Sequence, residues 1–233
     1  MTIALFTEGI WPLSIGGMQK HSFMLCKFLS ANDVNVVVYY PDNPEVKDHK
    51  LYDHFSERER SFIQWVKVPL PPRHKFPGHY VYEQYLYSKA LYMTYMSRPQ
   101  KVDLIYAQGL TSWYSLKQKK EIDVPVCINN HGYNFLQLQA NISEKLKSKM
   151  LVYPFRYINR KADYIFSLGG KLTSYIEDLG VESKKIIEIT GAVDKEWIAG
   201  SRLQLPGGVR RFAYVGRYER CKGIQELTGA INM

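Results

Sequence analysis

Short runs of consecutive apolar residues alternate with longer segments of helical periodicity along most of the chain. Apolar residues at consecutive positions are typical of strands that are covered on both faces. Alternation of such strands with helices predicts a parallel, doubly wound α/β sheet, which is a Rossmann-like fold class. The predicted strands are Ile3–Phe6, Val34–Tyr40, Asp103–Ala107, Val124–Ile128, Tyr164–Leu168, Lys185–Ile189 and Arg211–Val215, and the predicted helices are Gly17–Ser30, Tyr80–Met96, Ser143–Arg160 and Lys171–Leu179.

Two segments rich in proline and glycine interrupt this alternation. Residues 69–78 hold four prolines, and because proline lacks an N–H and fixes φ, the segment is predicted to be a loop. Residues 200–209 have the composition of a linker. We therefore expect a first domain over residues 1–199 and the start of a second over 210–233. A single strand and helix cannot bury their own faces, so this second domain is expected to be truncated.

Composition excludes several classes of protein. Apolar residues make up 45% and charged residues 23% of the 233 residues, which argues against disorder. No apolar run reaches the roughly 20 residues that span a bilayer, and the first residues lack the features of a secretory signal. The three cysteines are far apart and lack metal-ligand spacing, so neither a disulfide framework nor zinc is expected. We expect a cytoplasmic protein.

The charge balance indicates an anionic partner. The chain has 31 Lys and Arg against 22 Asp and Glu, a formal net charge of +9. Nucleic acid, an acidic membrane surface and a phosphorylated small molecule are all compatible with this charge. Nucleic acid is disfavoured because the basic residues are scattered and no recognised nucleic-acid-binding motif is present.

Three motifs follow predicted strands. Gly16-Gly17 opens the first helix, where glycine and the helix N-terminus would suit a diphosphate, although a simple tight turn is the alternative. His131-Gly132 lies where ligands bind in open α/β sheets, although a histidine that caps local backbone is the alternative. Arg217 and Lys222 could bracket a diphosphate, although a solvated basic loop is the alternative.

Taken in order, these motifs resemble those of the N-terminal part of retaining glycosyltransferases of family 4, which have the GT-B fold. The resemblance covers essentially the whole chain. The matching residues are Gly16-Gly17 with Gln19 and His21, His131-Gly132, Ala162-Asp163, the turn Gly191-Ala192-Val193-Asp194, Gly216-Arg217 and Lys222-Gly223.

The resemblance implies transfer of a sugar from a UDP- or GDP-linked donor to a saccharide or lipid-linked saccharide, with retention at the anomeric carbon. Gly16 and Gly17 would approach the donor diphosphate from the first domain. Arg217 and Lys222 would neutralise it from the second domain, and His131 would contact the transferred sugar. No metal or other cofactor is expected, since cationic side chains and a helix end replace it.

The chain departs from the family pattern at several positions. Gln19 stands where many members have Glu, Gln108 where His is common, and Gly191-Ala192 where Asn-Gly is usual. The family's paired glutamates, which hold the ribose and the sugar, would lie beyond Met233. The chain by itself is therefore expected to bind the donor poorly or not at all.

Acceptor contacts are expected in the first domain. Gln19, Tyr85 and Tyr133 are the candidates, because aromatic faces pack on sugars and phenols supply hydrogen bonds; core packing of the tyrosines is the alternative. The basic and apolar residues of 143–161 suit peripheral contact with anionic lipid at the inner face of the membrane, although Pro154 would divide this segment into two short helices and a solvated face is the alternative.

Two other functions stay open at this stage. One is a non-catalytic acceptor-binding domain or subunit that acts only with a partner chain, and the other is a GT-B sugar-nucleotide epimerase. Sequence beyond Met233 that contains the paired glutamates would favour the transferase.

Overall fold

The computed structural model describes residues 1–43, 49–98, 101–136, 139, 141–189, 213–216 and 222–231. Seven parallel strands form one sheet in the order β3-β2-β1-β4-β5-β6-β7. This confirms the predicted parallel α/β fold class. The strands are β1 (Thr2–Phe6), β2 (Asn35–Pro41), β3 (Ile63–Val68), β4 (Leu104–Gln108), β5 (Val126–Asn129), β6 (Tyr164–Ser167) and β7 (Ile186–Glu188).

In chain order the first seven α-helices of the described residues lie between these strands, and the eighth follows the last strand. Short 3₁₀ turns cover Gly109–Ser112, Lys119–Glu121, Asn134–Leu136 and Ser183–Lys185. The α-helices are α1 (Gly17–Ala31), α2 (His49–Tyr52), α3 (Glu57–Ser61), α4 (His79–Met96), α5 (Trp113–Lys117), α6 (Ile142–Lys161), α7 (Lys171–Asp178) and α8 (Ile224–Ile231).

Each face of the sheet is covered by its own apolar core. On one face Leu5 and Val38 pack with Phe23 of α1. On the other face Phe6 and Ile128 belong to a cluster that includes residues of α4 and α6. Because neighbouring residues of a strand point to opposite faces, a strand buried on both sides reads as a continuous apolar run. The doubly wound arrangement follows directly from that pattern.

One predicted element is wrong in its form. The segment 143–161 was expected to break at Pro154, whereas α6 runs without interruption from Ile142–Lys161. Proline removes one backbone hydrogen bond from a helix. Here Pro154 is buried one turn from Ile158, which is also buried. Packing of this face against the sheet stabilises the helix in spite of the missing hydrogen bond.

The predicted strand over 211–215 is also not observed where it can be checked. Residues 213–215 have no regular secondary structure. A strand requires a hydrogen-bonded neighbouring strand, and no strand among the described residues pairs with residues 213–215. Residues 211 and 212, the turn 191–194 and the predicted linker 200–209 lie outside the described residues. The loop expected over 69–78 is confirmed, since these residues contain neither helix nor strand.

Candidate active site

The strand order reverses between β1 and β4, which places a crevice at the carboxyl ends of these two strands. The chain leaves β1 toward β2 on one side, while β4, β5 and β6 follow on the other. Ligands of open α/β sheets bind at such a reversal. Thr7 follows β1 and Gln108 ends β4, while His131 lies just beyond the carboxyl end of the neighbouring strand β5.

The N-terminus of α1 opens at this crevice without a side chain that caps it. Gly16 is the N-cap residue and has no side chain that could accept from the first backbone N–H groups, and the first turn contains no acidic residue. The first N–H groups of a helix and its dipole favour an anion at this position. Apart from its chain neighbours and the backbone of its own helix, no atom of the described residues lies within 4 Å of a β-carbon placed at Gly17, so the approach to the helix end is open.

Gln19 folds over the glycine turn. A β-carbon at Gly16 would collide with the side-chain amide of Gln19, and one at Gly9 would lie 3.2 Å from its Cγ. A side chain at position 16 would therefore displace the amide end of Gln19 from this turn. Gln19, which the sequence assigns to acceptor contact, lies at the crevice beside the proposed diphosphate site.

His131 has a backbone conformation that non-glycine residues seldom adopt. Its φ is 55°, in the left-handed region, at a cost of about 1–3 kcal/mol. Its backbone N–H donates to Asn129 Oδ1 at 3.0 Å, which holds the turn. Nε2 of His131 is buried and has no hydrogen-bond partner in the part of the chain that the structure describes. A strained residue with an unpaired buried nitrogen is a candidate ligand contact.

His21 and His131 form a pair of neutral imidazoles. Their ring centroids are 4.5 Å apart with the rings in a T-shaped arrangement. His21 Nε2 lies 3.2 Å from Tyr106 Oη, which accepts from Asn129 Nδ2 at 2.8 Å. Burial and then the nearby His21 lower the pKa of His131 to about 4, and burial lowers the pKa of His21. His131 is therefore neutral at physiological pH.

A buried polar network fixes α1 against the sheet below this pair. Thr7 Oγ1 and Ser22 Oγ donate to Gln108 Oε1 at 2.9 and 2.8 Å. Gln108 Nε2 is buried and has no hydrogen-bond partner among the described residues. The network sets the position of α1, and thus of its N-terminus, relative to β1 and β4.

Glu8 is a site residue that sequence analysis did not identify. It is the second residue after β1 and lines a cavity of about 150 Å³ together with Leu13 and Ser14. Burial raises the pKa of its carboxyl to about 7, and a hydrogen bond with Gln84 lowers that pKa only in part. A single acidic residue after an apolar strand carries no signal that distinguishes it from a solvated one, which is why it was missed.

Glu8 should make the stability of the protein depend on pH. Because the folded-state pKa of Glu8 lies above the unfolded value of 4.5, the folded protein favours the neutral carboxyl. The free energy of unfolding should therefore fall as the pH rises from about 4.5 to 7. A shift of this size corresponds to about 3 kcal/mol. Urea unfolding should show Glu8→Gln more stable than wild type by about that amount at pH 8, and equal to it at pH 4.

Glu57→Gln is the matched control, because it removes the same charge from the exposed start of α3. Because Glu57 lies in the first turn of a helix, its replacement should lower stability by about 0.3–1 kcal/mol at pH 8, a change opposite in sign to that of Glu8→Gln. Equal stability of Glu8→Gln and wild type at pH 8 would contradict the burial of an ionisable carboxyl at the end of β1.

Two of the residues predicted to contact the acceptor, Tyr133 and Tyr85, make their described contacts with other side chains of the protein. Tyr133 is 2% exposed, and its hydroxyl is held by Asn130 Nδ2 at 2.7 Å and Asn159 Oδ1 at 3.2 Å. A side chain buried in this way packs the core, which argues against the predicted saccharide contact. Tyr85 packs edge-on against Trp113 and accepts from Lys117 Nζ at 3.0 Å, so its described contacts are with α5.

Of the two cations predicted to bind the diphosphate, the described residues include Lys222 but not Arg217. Lys222 is exposed just before α8. Arg217 lies outside the described residues. Among the cysteines, Cys26 and Cys127 are free and buried, and Cys221 also lies outside the described residues. The approach of Arg217 and Lys222 to the glycine turn therefore stays a prediction.

The described residues show neither a metal site nor a membrane-spanning helix. Over the described ranges, no group of three or more His, Cys, Asp or Glu side chains is arranged to hold a metal ion. Within the same ranges, no helix combines the length and the apolar character needed to cross a bilayer.

The sheet with its crevice has the architecture of a Rossmann-like domain of the GT-B class, and comparison with known proteins supports this. The Arabidopsis thaliana protein UGT89C1, complexed with UDP-L-rhamnose, superposes with a TM-score of 0.56 at 11% identity, over 84% of this chain and 49% of that one. A UGT transferase from Siraitia grosvenorii in complex with UDP gives 0.54 at 13% identity, over 82% and 50%. Sucrose-phosphate synthase from Thermosynechococcus elongatus gives 0.54 at 11%, over 83% and 91%.

The family follows from a direct match of the sequence. The model of Glycosyltransferase Family 4 matches residues 15–197, which is more than half of the chain. This chain belongs to glycosyltransferase family 4. No curated protein matches it in sequence. The chain spans about half the length of the Arabidopsis and Siraitia proteins, and at such low identity those structures show the fold alone. The predicted resemblance is thus confirmed at the level of family and fold.

Proposed function

We propose that the intact enzyme transfers a sugar from a UDP- or GDP-linked donor to a saccharide or lipid-linked saccharide acceptor, with retention at the anomeric carbon. One observation carries the proposal. The uncapped N-terminus of α1 and the neutral His21–His131 pair lie at the carboxyl edge of the sheet, where its strand order reverses. A diphosphate and an adjoining sugar ring need these two kinds of contact close together.

The start of α1 would bind the donor diphosphate. The backbone N–H groups of Gly17 and Met18 would donate to phosphate oxygens, and the helix dipole would favour the negative charge. As the bond to the sugar breaks, charge builds up on the departing diphosphate. Donors already aimed at that position stabilise the transition state without reorganisation. Arg217 and Lys222 would add two positive charges from the second domain, so that no metal ion is needed.

His131 would position the sugar. A neutral imidazole with a free Nε2 can exchange a hydrogen bond with a sugar hydroxyl, and it adds no charge that would compete with the cations around the diphosphate. Since the pKa of His131 is about 4, protonated His131 is rare at neutral pH. We therefore assign it hydrogen bonding to the donor sugar and no acid role.

Replacing His131 should slow transfer far more than it weakens donor binding. His131→Asn preserves the left-handed backbone, which asparagine tolerates, while it moves the hydrogen-bonding group away from the sugar. Loss of a contact made at the reacting centre predicts a fall in kcat of roughly 10²-fold with a small change in donor KM. Steady-state kinetics of the intact enzyme with a labelled UDP- or GDP-sugar measure this.

A second readout separates this role from a structural one. Because His131 is neutral above a pKa of about 4, the wild-type kcat should show no inflection from this residue between pH 5.5 and 8. Unchanged kcat in a folded His131→Asn variant would remove His131 from the site. The anomeric configuration of the product, read by NMR, tests retention independently of any mutation. An inverted product would overturn that part of the proposal.

The two other functions make different predictions in the same assay. A non-catalytic acceptor-binding subunit would release no sugar from any donor unless a partner chain were added. An epimerase would interconvert nucleotide sugars without an acceptor. Acceptor-dependent consumption of the donor by the intact enzyme alone would exclude both.

A further inference from the structure

A stripe of apolar side chains faces solvent along α6. The α6 stripe consists of four residues that are 39–86% exposed, and they are spaced four, four and three positions apart, which places them on one face of the helix. Single exposed apolar side chains are ordinary, but a contiguous row of them marks an interaction surface. The residues of the α6 stripe are Ile142, Leu146, Met150 and Tyr153.

The stripe points away from the core. Ile158 and Asn159 are buried, and at 3.6 residues per turn they lie about 120° and about 140° around α6 from Leu146, on the other side of the helix. Packing within this domain therefore leaves the stripe uncovered, although it stabilises the other side of the same helix.

The surface continues onto the loop before α4. Tyr80 Oη donates to the backbone oxygen of Lys147 at 2.8 Å, and the end of the Met150 side chain lies against Gly78. Phe76 and Tyr82 are also exposed beside this junction. Two exposed aromatic side chains thus extend the apolar area beyond α6.

Basic side chains border the stripe, while nearby acids are already paired. Lys145, Lys149 and Arg156 are exposed on α6, and Arg73 and Lys75 are exposed on the loop before α4. Two acids beside this border, Glu144 and Glu83, already have partners. Glu144 pairs with Lys147 at 2.7 Å, and Glu83 accepts from the backbone N–H of His74 and lies beside His79.

We propose that the α6 stripe and its basic border dock the protein on a membrane that contains anionic lipid. Apolar and aromatic side chains on one helix face, with lysine and arginine beside them, are the combination that binds the interface of such a membrane. Charge complementarity favours lipid over a second copy of this chain, since a second copy would bring the same positive charges into contact.

The position of this surface suggests which acceptor the enzyme uses. Helices between parallel strands run back from the carboxyl edge of the sheet, so α4 and α6 both begin at the edge where the crevice lies. A membrane docked on the start of α6 would lie beside that crevice. Resting on the proposed function, this geometry selects a lipid-linked acceptor over a free saccharide.

Co-sedimentation with vesicles tests the docking surface. The intact protein should bind vesicles of phosphatidylcholine with 30% phosphatidylglycerol and should bind pure phosphatidylcholine vesicles much more weakly. Lys145→Gln with Lys149→Gln, or Leu146→Ser with Tyr153→Ser, should each lower the partition coefficient by roughly tenfold or more. Raising the salt concentration should weaken the binding of the wild type and of the apolar variant.

Matched controls remove the same groups elsewhere. Lys101→Gln with Lys120→Gln takes two positive charges from exposed positions at the amino edge of the sheet, and Phe28→Ser removes an exposed aromatic from the far end of α1. Both should bind vesicles like wild type. Failure of the wild type to bind anionic vesicles, or equal binding by the α6 variants and the wild type, would overturn the proposal.

Two further readouts separate the possible failures. If light scattering showed that the α6 variants convert a dimer to a monomer without changing vesicle binding, a second copy would be the occupant and membrane docking would be wrong. Donor consumption with a water-soluble acceptor should be unaffected by the α6 substitutions. If the α6 variants lose vesicle binding but keep full activity on the water-soluble acceptor, the result supports docking. If the wild type binds vesicles but transfers no sugar, only the proposed function is contradicted.

Discussion

Gly17→Asp should lower kcat/KM for the nucleotide-sugar donor by 10³-fold or more, while the protein stays folded. No other part of the described structure lies within 4 Å of a β-carbon at Gly17, so the side chain can be accommodated. Its carboxylate would occupy the helix end that we assign to the donor diphosphate, and it would repel that diphosphate. An acid in the first turn of a helix is itself stabilising by about 0.3–1 kcal/mol. Thermal unfolding should therefore show an unchanged or higher Tm.

Gly17→Asn is the matched control, since it has nearly the same shape and no charge. It should retain much more activity than Gly17→Asp. If the aspartate variant were as active as wild type at the same donor concentration, the diphosphate would not bind at the start of α1. Loss of stability in both variants would instead show that the turn requires glycine for its backbone.

Arg217→Ala and Lys222→Ala should each lower kcat of the intact enzyme by roughly 10²–10³-fold. Each removes a positive charge that we assign to the departing diphosphate, and loss of one such contact in a site shielded from water has effects of this size. Because Arg can form two hydrogen bonds to a phosphate and Lys only acts as a point charge, Arg217→Lys should restore activity in part. Single-turnover kinetics with saturating donor measure the chemical step directly.

Lys184→Ala serves as the control for a lost cation. Lys184 is exposed next to β7 and pairs with Glu182 at 2.7 Å, at the amino edge of the sheet. Its replacement should leave kcat unchanged. Normal turnover in both Arg217→Ala and Lys222→Ala would show that the leaving group is stabilised by other residues.

Most of the sheet was predictable because its inner strands are buried on both faces. The run Val36–Tyr40 contains only buried residues, and such a run differs clearly from a helix by its length and its β-branched residues. The edge strand Ile63–Val68 was missed, because exposed Gln64 and Lys67 interrupt its buried positions. An edge strand has less cover, so its sequence resembles that of an ordinary surface segment.

The part of the site that is formed by consecutive residues was predictable from the sequence. The part that is formed by side chains from distant positions in the chain was not. Gly16-Gly17 precedes a helix in sequence, and the structure shows the open helix end that this order implies. Contact between His21 and His131 joins residues that are far apart in the chain, and only the fold brings them together. The same holds for the burial of Glu8. The burial of the Tyr133 side chain was not predictable either, because a position beside a site does not reveal which way a side chain points.

The central claim is that the N-terminus of α1 binds the donor diphosphate, and a crystal structure of the intact enzyme with UDP or GDP tests it most directly. We predict a phosphate oxygen about 2.7–3.2 Å from the backbone nitrogen of Gly17 or Met18. A nucleoside diphosphate bound elsewhere, with these N–H groups covered by side chains of the enzyme, would contradict the account.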